Sequence, residues 1–245
     1  AVRGPEAALR LLARLRDIAG ESISAFELLH RQGLEFVSET LPDQRLPWPD
    51  PPEWMVLTEL GLARGPTPQA LFEELFEVAL EEGLADDGII AQSEGQSAEL
   101  WGLREAIPIA NKNIGGISSH DISLPLSAIP AFIPRATKAL AAHGEYRINC
   151  FGHLGDGNLH FNVYPPKGAH RDAFKETASA VQDIVHDITV DMGGSFSAEH
   201  GLGRLKAADL ERYGDPTKLA AMNSIKTALD PLGIMNPGAV LRAKR

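Results

Sequence analysis

Residues 158–163 read Asn-Leu-His-Phe-Asn-Val, a strict alternation of polar and apolar side chains. A period of two puts Asn158, His160 and Asn162 on one face of a strand and Leu159, Phe161 and Val163 on the other. Before it stands a second strand-like run, Tyr-Arg-Ile-Asn-Cys-Phe-Gly-His-Leu at 146–154, and between the two lies Gly-Asp-Gly-Asn at 155–158. Strands joined by so short a turn pair antiparallel. The hairpin sets His153, at the end of one strand, beside His160 on the next.

Elsewhere strand-like and helical runs alternate. Ala8, Leu11, Leu12, Leu15 and Ile18 share one face of a helix over 4–19 that stops at Gly20. Further helices are predicted over 66–83, over 96–113 with Pro108 bending or ending it, over 126–144, 171–194 and 215–231. Strands are predicted for Ala-Phe-Glu-Leu-Leu-His at 25–30, for 53–61, for Gly-Ile-Ile-Ala-Gln-Ser at 88–93, for 120–125 and for Ser-Phe-Ser-Ala-Glu-His at 195–200. With a hairpin among them, the better reading is α+β, an antiparallel sheet covered by helices, over a doubly wound parallel fold. Gly152, Gly155 and Gly157 come near the spacing of a dinucleotide loop, but a strand follows where that loop requires a helix.

The formal net charge of −10 argues against nucleic acid, whose phosphates need a basic surface, and against a basic membrane-binding patch. No apolar run reaches the roughly 18 residues of a membrane span. The single cysteine, Cys150, rules out an internal disulfide or a multi-cysteine metal site within these 245 residues and fits a reducing compartment, the cytoplasm. The N-terminus carries neither an initiator Met nor a secretory pattern and runs almost directly into a helix, which points to a piece of something longer.

His153 and His160, joined by a carboxylate from another strand, would form a two-histidine, one-carboxylate metal site. Glu199, followed by His200 and set near Gly201 and Gly203, is the best-placed carboxylate, and Asp156 is available to orient a histidine. The ordinary alternative is a functionless turn with hydrogen-bonded histidines; two such glycine-set clusters in one chain favour the metal. His30, His120, His143, His170 and His186 have no comparable setting, and the last three read as solvated helix residues. Arg104, in Leu-Trp-Gly-Leu-Arg-Glu, is either a solvated charge or a fork for a carboxylate.

The runs Gly-His-Leu-Gly-Asp-Gly-Asn-Leu-His-Phe-Asn-Val, Ser-Ala-Glu-His-Gly-Leu-Gly-Arg-Leu-Lys and Met-Asn-Pro-Gly-Ala-Val-Leu, with Leu-Trp-Gly-Leu-Arg-Glu and Asp-Ile-Ser-Leu-Pro upstream, resemble one family. It is the FAD-linked 2-hydroxy-acid dehydrogenases and oxidases, whose members act on D-2-hydroxyglutarate, D-lactate or glycolate. The resemblance covers nearly the whole chain and falls on the family's C-terminal half. It implies one cap or substrate domain over 1–245, a curved antiparallel sheet with helices on one side and ferredoxin-like elements. It also implies a divalent metal, zinc, on His153, His160 and Glu199, with His200 as base and substrate contact. Arg104 and Asn162 would bind the 2-hydroxy acid, and Asn236 would lie near the flavin. The FAD itself would be held mainly by an N-terminal domain whose glycine-rich loops are absent here. An electron acceptor and a second copy of the chain are the further partners implied. Two positions depart from the hydroxyglutarate branch: Pro108 stands for its Thr and Ser119 for its Lys, with Lys112 as a replacement cation. The rival readings are a metal-dependent hydrolase using the same residues and a non-catalytic structural module.

Overall fold

The computed structural model describes residues 1–61 and 67–242. Five strands form one sheet: β1 (Ile23–His30), β2 (Trp54–Leu60), β3 (Asp121–Ser123), β4 (Arg147–His153) and β5 (Asn158–Tyr164). Their order is β2-β1-β4-β5-β3, and every pairing is antiparallel. The predicted hairpin is β4–β5, with Phe151 opposite His160. On either side of it, Glu27 of β1 lies opposite His153 and Asp121 of β3 opposite His160. Register alone therefore gathers four titratable side chains at one end of the sheet.

Eight helices surround the sheet: α1 (Pro5–Ala19), α2 (Arg31–Thr40), α3 (Pro68–Glu81), α4 (Glu94–Ile114), α5 (Ile129–His143), α6 (Ala178–Asp191), α7 (Ala207–Tyr213) and α8 (Pro216–Leu229), counted among the described residues. One core joins Phe26, Leu28, Cys150, Leu159, Phe161 and Val163 to apolar residues of α1, α3, α5 and α6. Successive strand residues face opposite ways, and Leu29, Phe151 and Tyr164 belong to a second core with α2 and α4. Full burial of each such side chain contributes about 1.5–3 kcal/mol. The α+β antiparallel fold is as expected, but the helices are not confined to one side: α2 and α4 cover the second face. That face carries Asn158, His160 and Asn162, all buried.

Several local expectations differ. Residues 88–93 form no strand, and 195–200 contribute only the single bridge Ser123–Ser195. The helix expected over 171–194 is broken, a short 3-10 turn at Arg171–Phe174 preceding α6. α4 runs through Pro108 to Ile114 and stops at Gly115, whose φ is 82°. The first residue of the helix expected over 66–83 lies outside the described residues; α3 occupies Pro68–Glu81. His186 is buried, not solvated, because Phe196 and Tyr213 close over its ring while His120 meets its edge at 5.0 Å. Among the described residues no helix is long and apolar enough to cross a membrane.

Candidate metal and substrate site

The β4–β5 hairpin turns through a 3-10 turn at Leu154–Asp156 and then Gly157, which sits in the left-handed region at φ 82°. That geometry aims His153 and His160 at a common volume, their ring centroids 6.0 Å apart. Glu199 and His200 arrive on a segment with no strand ladder. Asp121 anchors it instead, accepting the backbone N–H of His200 at 2.8 Å and of Ala198 at 3.2 Å. The other Asp121 oxygen accepts the Asn158 amide at 2.9 Å. Burial works to raise the Asp121 pKa; the N–H of His200 and the Asn158 amide outweigh it and hold the carboxyl below its usual value. Lys206 secures the same segment, donating to the Phe196 carbonyl at 3.2 Å and the Ser197 hydroxyl at 3.1 Å.

Three imidazoles converge on one oxygen. Glu199 Oε1 lies 3.3 Å from His160 Nε2, 3.6 Å from His200 Nε2 and 3.7 Å from His153 Nε2. Two ligands sharing a tetrahedral cation through bonds of about 2.1 Å stand roughly 3.4 Å apart. The spacing suits a zinc-sized ion. Ligand atoms of Asp121, His160, Glu199 and His200 also lie within 4.8 Å of one another. Asp121 is the poorer donor of that group because both its oxygens already accept hydrogen bonds. The Nε2 atoms of His153, His160 and His200 are thus the nitrogens that face the Glu199 oxygen, and His153 stands outside the tighter group of four. Burial pushes the His160 pKa down, against the pull of Glu199, and so favours the neutral form a metal needs. His200 is more exposed; its ring stacks on His160 at 5.4 Å, with Nδ1 3.8 Å from Asp121.

Arg104 is not a solvated charge. Its Nε donates to Glu27 at 2.8 Å, and its guanidinium lies over the Phe151 ring, 5.0 Å from the centroid. Glu27, buried on β1, also receives His153 Nδ1 at 2.5 Å. Glu27 therefore orients His153, the role expected of Asp156, which instead accepts the Asn158 N–H in the turn. Arg104, His160, Asn162 and His200 line a cleft of about 730 Å³. Asn162 commits its carboxamide oxygen to the His120 N–H at 3.0 Å, and its NH2, beside the Tyr164 hydroxyl, is its remaining donor. Lys112, Arg171, Arg204 and Lys206 line the same cleft, as do Pro108 and Ser119. Asn236 does not; it is exposed on the C-terminal segment at φ 45°. That segment is tied to the cleft through Arg204, which donates to the Pro237 carbonyl. Glu27 and Asp121 carry the arrangement, and neither was singled out in the sequence.

Residues 1–240 match the family described as FAD linked oxidases, C-terminal domain. The chain belongs to this family. Among curated proteins it is 33% identical to the mitochondrial D-2-hydroxyglutarate dehydrogenase of Arabidopsis thaliana, over 95% of this chain and 40% of that one. It is 34% identical to D-2-hydroxyglutarate dehydrogenase of Xanthomonas citri pv. viticola, over 88% of this chain and 45% of the relative. A Stutzerimonas stutzeri protein of the same name is 37% identical over 69% of this chain and 36% of its own length. The chain thus spans less than half the length of these relatives. Among solved structures, 4-ethylphenol oxidase from Gulosibacter chungangensis superposes with a TM-score of 0.59 over 98% of this chain and 52% of that one, at 16% identity. That likeness is one of fold.

Proposed function

We propose that this chain is the substrate- and metal-binding domain of an FAD-dependent dehydrogenase that oxidises a small D-2-hydroxy acid to the 2-oxo acid. The observation that carries the reading is the convergence of His153, His160 and His200 on a single Glu199 oxygen at 3.3–3.7 Å, within reach of a cleft lined by Arg104. D-2-hydroxyglutarate is the favoured substrate, as the names of the relatives suggest, with D-lactate and glycolate as rivals.

In this mechanism Arg104 receives the substrate carboxylate on the guanidinium edge that Glu27 leaves free. The Asn162 NH2 fixes the substrate's orientation, which shortens the search for a reactive pose. Asp121 on the Nδ1 side of His200 favours the proton there and leaves Nε2 to take the hydroxyl proton. A divalent cation on His153, His160 and Glu199, zinc in this proposal, would supply Lewis acidity that lowers the pKa of that hydroxyl. FAD, when bound, supplies a two-electron acceptor. Its binding domain belongs, in this proposal, to the same polypeptide, with a separate electron acceptor reoxidising it. An uncovered apolar surface supports such a neighbour: α8 buries none of its residues, and Leu205, Leu229, Leu232, Ile234 and Met235 are exposed. Asn236 stands in that surface and would face the flavin. The single buried thiol fits a reducing compartment such as the cytoplasm.

His200→Ala in the full-length flavoprotein tests the assignment. Turnover should fall by about 10²–10⁴-fold, while zinc content stays near wild type. Equal loss of both would make His200 a ligand. A flavin that no D-2-hydroxy acid bleaches would overturn the whole reading and favour a metal-dependent hydrolase.

A further inference from the structure

Glu27 is as deeply buried as Asp121, at 3% exposure, and both its oxygens are used. Oε1 takes His153 Nδ1 at 2.5 Å and Oε2 takes Arg104 Nε at 2.8 Å. The two partners come from different elements, β4 and α4, and their residues stand 126 and 77 positions from Glu27 along the chain. β1 holds the carboxylate in place by register, with Glu27 directly opposite His153. The consequences at the two partners are distinct. A carboxylate on Nδ1 keeps the proton there and presents the Nε2 lone pair toward Glu199, 3.7 Å away. A carboxylate on Nε of Arg104, with Phe151 beneath the guanidinium plane, leaves only the Nη edge to meet a ligand in the cleft.

We infer that Glu27 is a positioning residue that braces the metal ligand His153 and the cleft arginine Arg104 with one carboxylate, tying metal affinity to substrate affinity. It touches neither the metal position nor the cleft and acts through its two neighbours. The inference rests on the function proposed above.

The test uses Glu27→Gln in the full-length flavoprotein. One glutamine oxygen can serve one of the two donors, and its NH2 then opposes the other. Zinc affinity, read by competition with a chromogenic chelator, should weaken 10–100-fold. KM for the 2-hydroxy acid should rise about tenfold while kcat at saturating zinc and substrate stays nearly unchanged, the pattern of lost binding. Leu29→Ala is the control, since Leu29 is buried two positions along the same strand face and belongs to the apolar core with α2 and α4. It should lower thermal stability and leave zinc affinity and KM alone. If Glu27→Gln folds poorly, Glu27→Asp gives the same readout, because the shorter side chain reaches one partner at most. Wild-type zinc affinity and KM in the Glu27 variant, or equal shifts in Leu29→Ala, overturn the inference. A wild-type protein that binds no zinc overturns the proposed metal site instead, and the Arg104 half of the brace is then judged on KM alone.

Discussion

Replacing Gly157 by alanine should destabilise the fold by about 2–5 kcal/mol. Gly157 holds φ 82° and ψ 10°, a left-handed conformation that costs a residue with a Cβ about 1–2 kcal/mol. A Cβ built there would sit 2.3 Å from the carbonyl oxygen of Leu124, against a normal carbon–oxygen approach of about 3.3 Å. The obstacle is backbone, so two chain segments must part by roughly 1 Å, an overpacking strain of about 1–3 kcal/mol. The Leu124 N–H, which donates to Gly157 O at 3.0 Å, stretches with them. For a chain of this size each kcal/mol lowers Tm by about 2–4 °C, so the loss should be roughly 4–20 °C. Gly168→Ala isolates the conformational part: Gly168 has φ 85° and nothing within 4 Å of the new Cβ. Urea unfolding followed by circular dichroism measures both. Leu124 directly follows β3, which carries Asp121, so zinc affinity should drop in the Gly157 variant alone. Equal destabilisation by the two substitutions would refute the close approach at Leu124.

Acid should weaken the fold in a defined window. Burial pushes the pKa of His120 and of His186 below the ordinary value near 6.5, so the unfolded chain binds more protons below that pH. Stability should be complete above about pH 6.5 and decline as the pH falls beneath it; urea midpoints at pH 7.5 and 5.5 with a chelator present check this, and identical midpoints would contradict it. Cys150 is buried and its thiol is pushed far above the usual range by desolvation. It should resist iodoacetamide in the folded protein and react fully in denaturant; rapid labelling of the native form, followed by mass spectrometry, would show the thiol to be accessible.

The hairpin was legible because a two-residue period cannot be mistaken over Asn158 to Val163, and the two histidines it aligns are the ones that meet. Glu199 was legible only as a residue type beside glycines. Its segment was expected to be a strand, and the structure holds it by Asp121 and Lys206 instead, a device no local pattern announces. Glu27 was hidden for a different reason. A lone glutamate in Ala-Phe-Glu-Leu-Leu-His reads as the wet side of a strand, whereas here both faces are covered and the acid answers two distant donors. His186 misled similarly, since the rings that bury it arrive from far along the chain. Of the two outcomes expected at Pro108, a bend or an end, α4 does not end there: it continues for six more residues, its inner side packed on α2 through Ile107 and Ala110.

The chain carries a formal charge of −10, yet five cationic residues, Arg104, Lys112, Arg171, Arg204 and Lys206, line the cleft, where Asp121 is the one acid among the described lining residues. Such a cleft attracts small anions against the net negative charge of the chain. Capture should therefore be fastest in dilute buffer and slow steeply as salt rises, because the guiding field fades over a Debye length of about 8–10 Å. A long anionic polymer would have the net negative charge of the chain against it along its length, so a recessed cationic cleft favours compact acids.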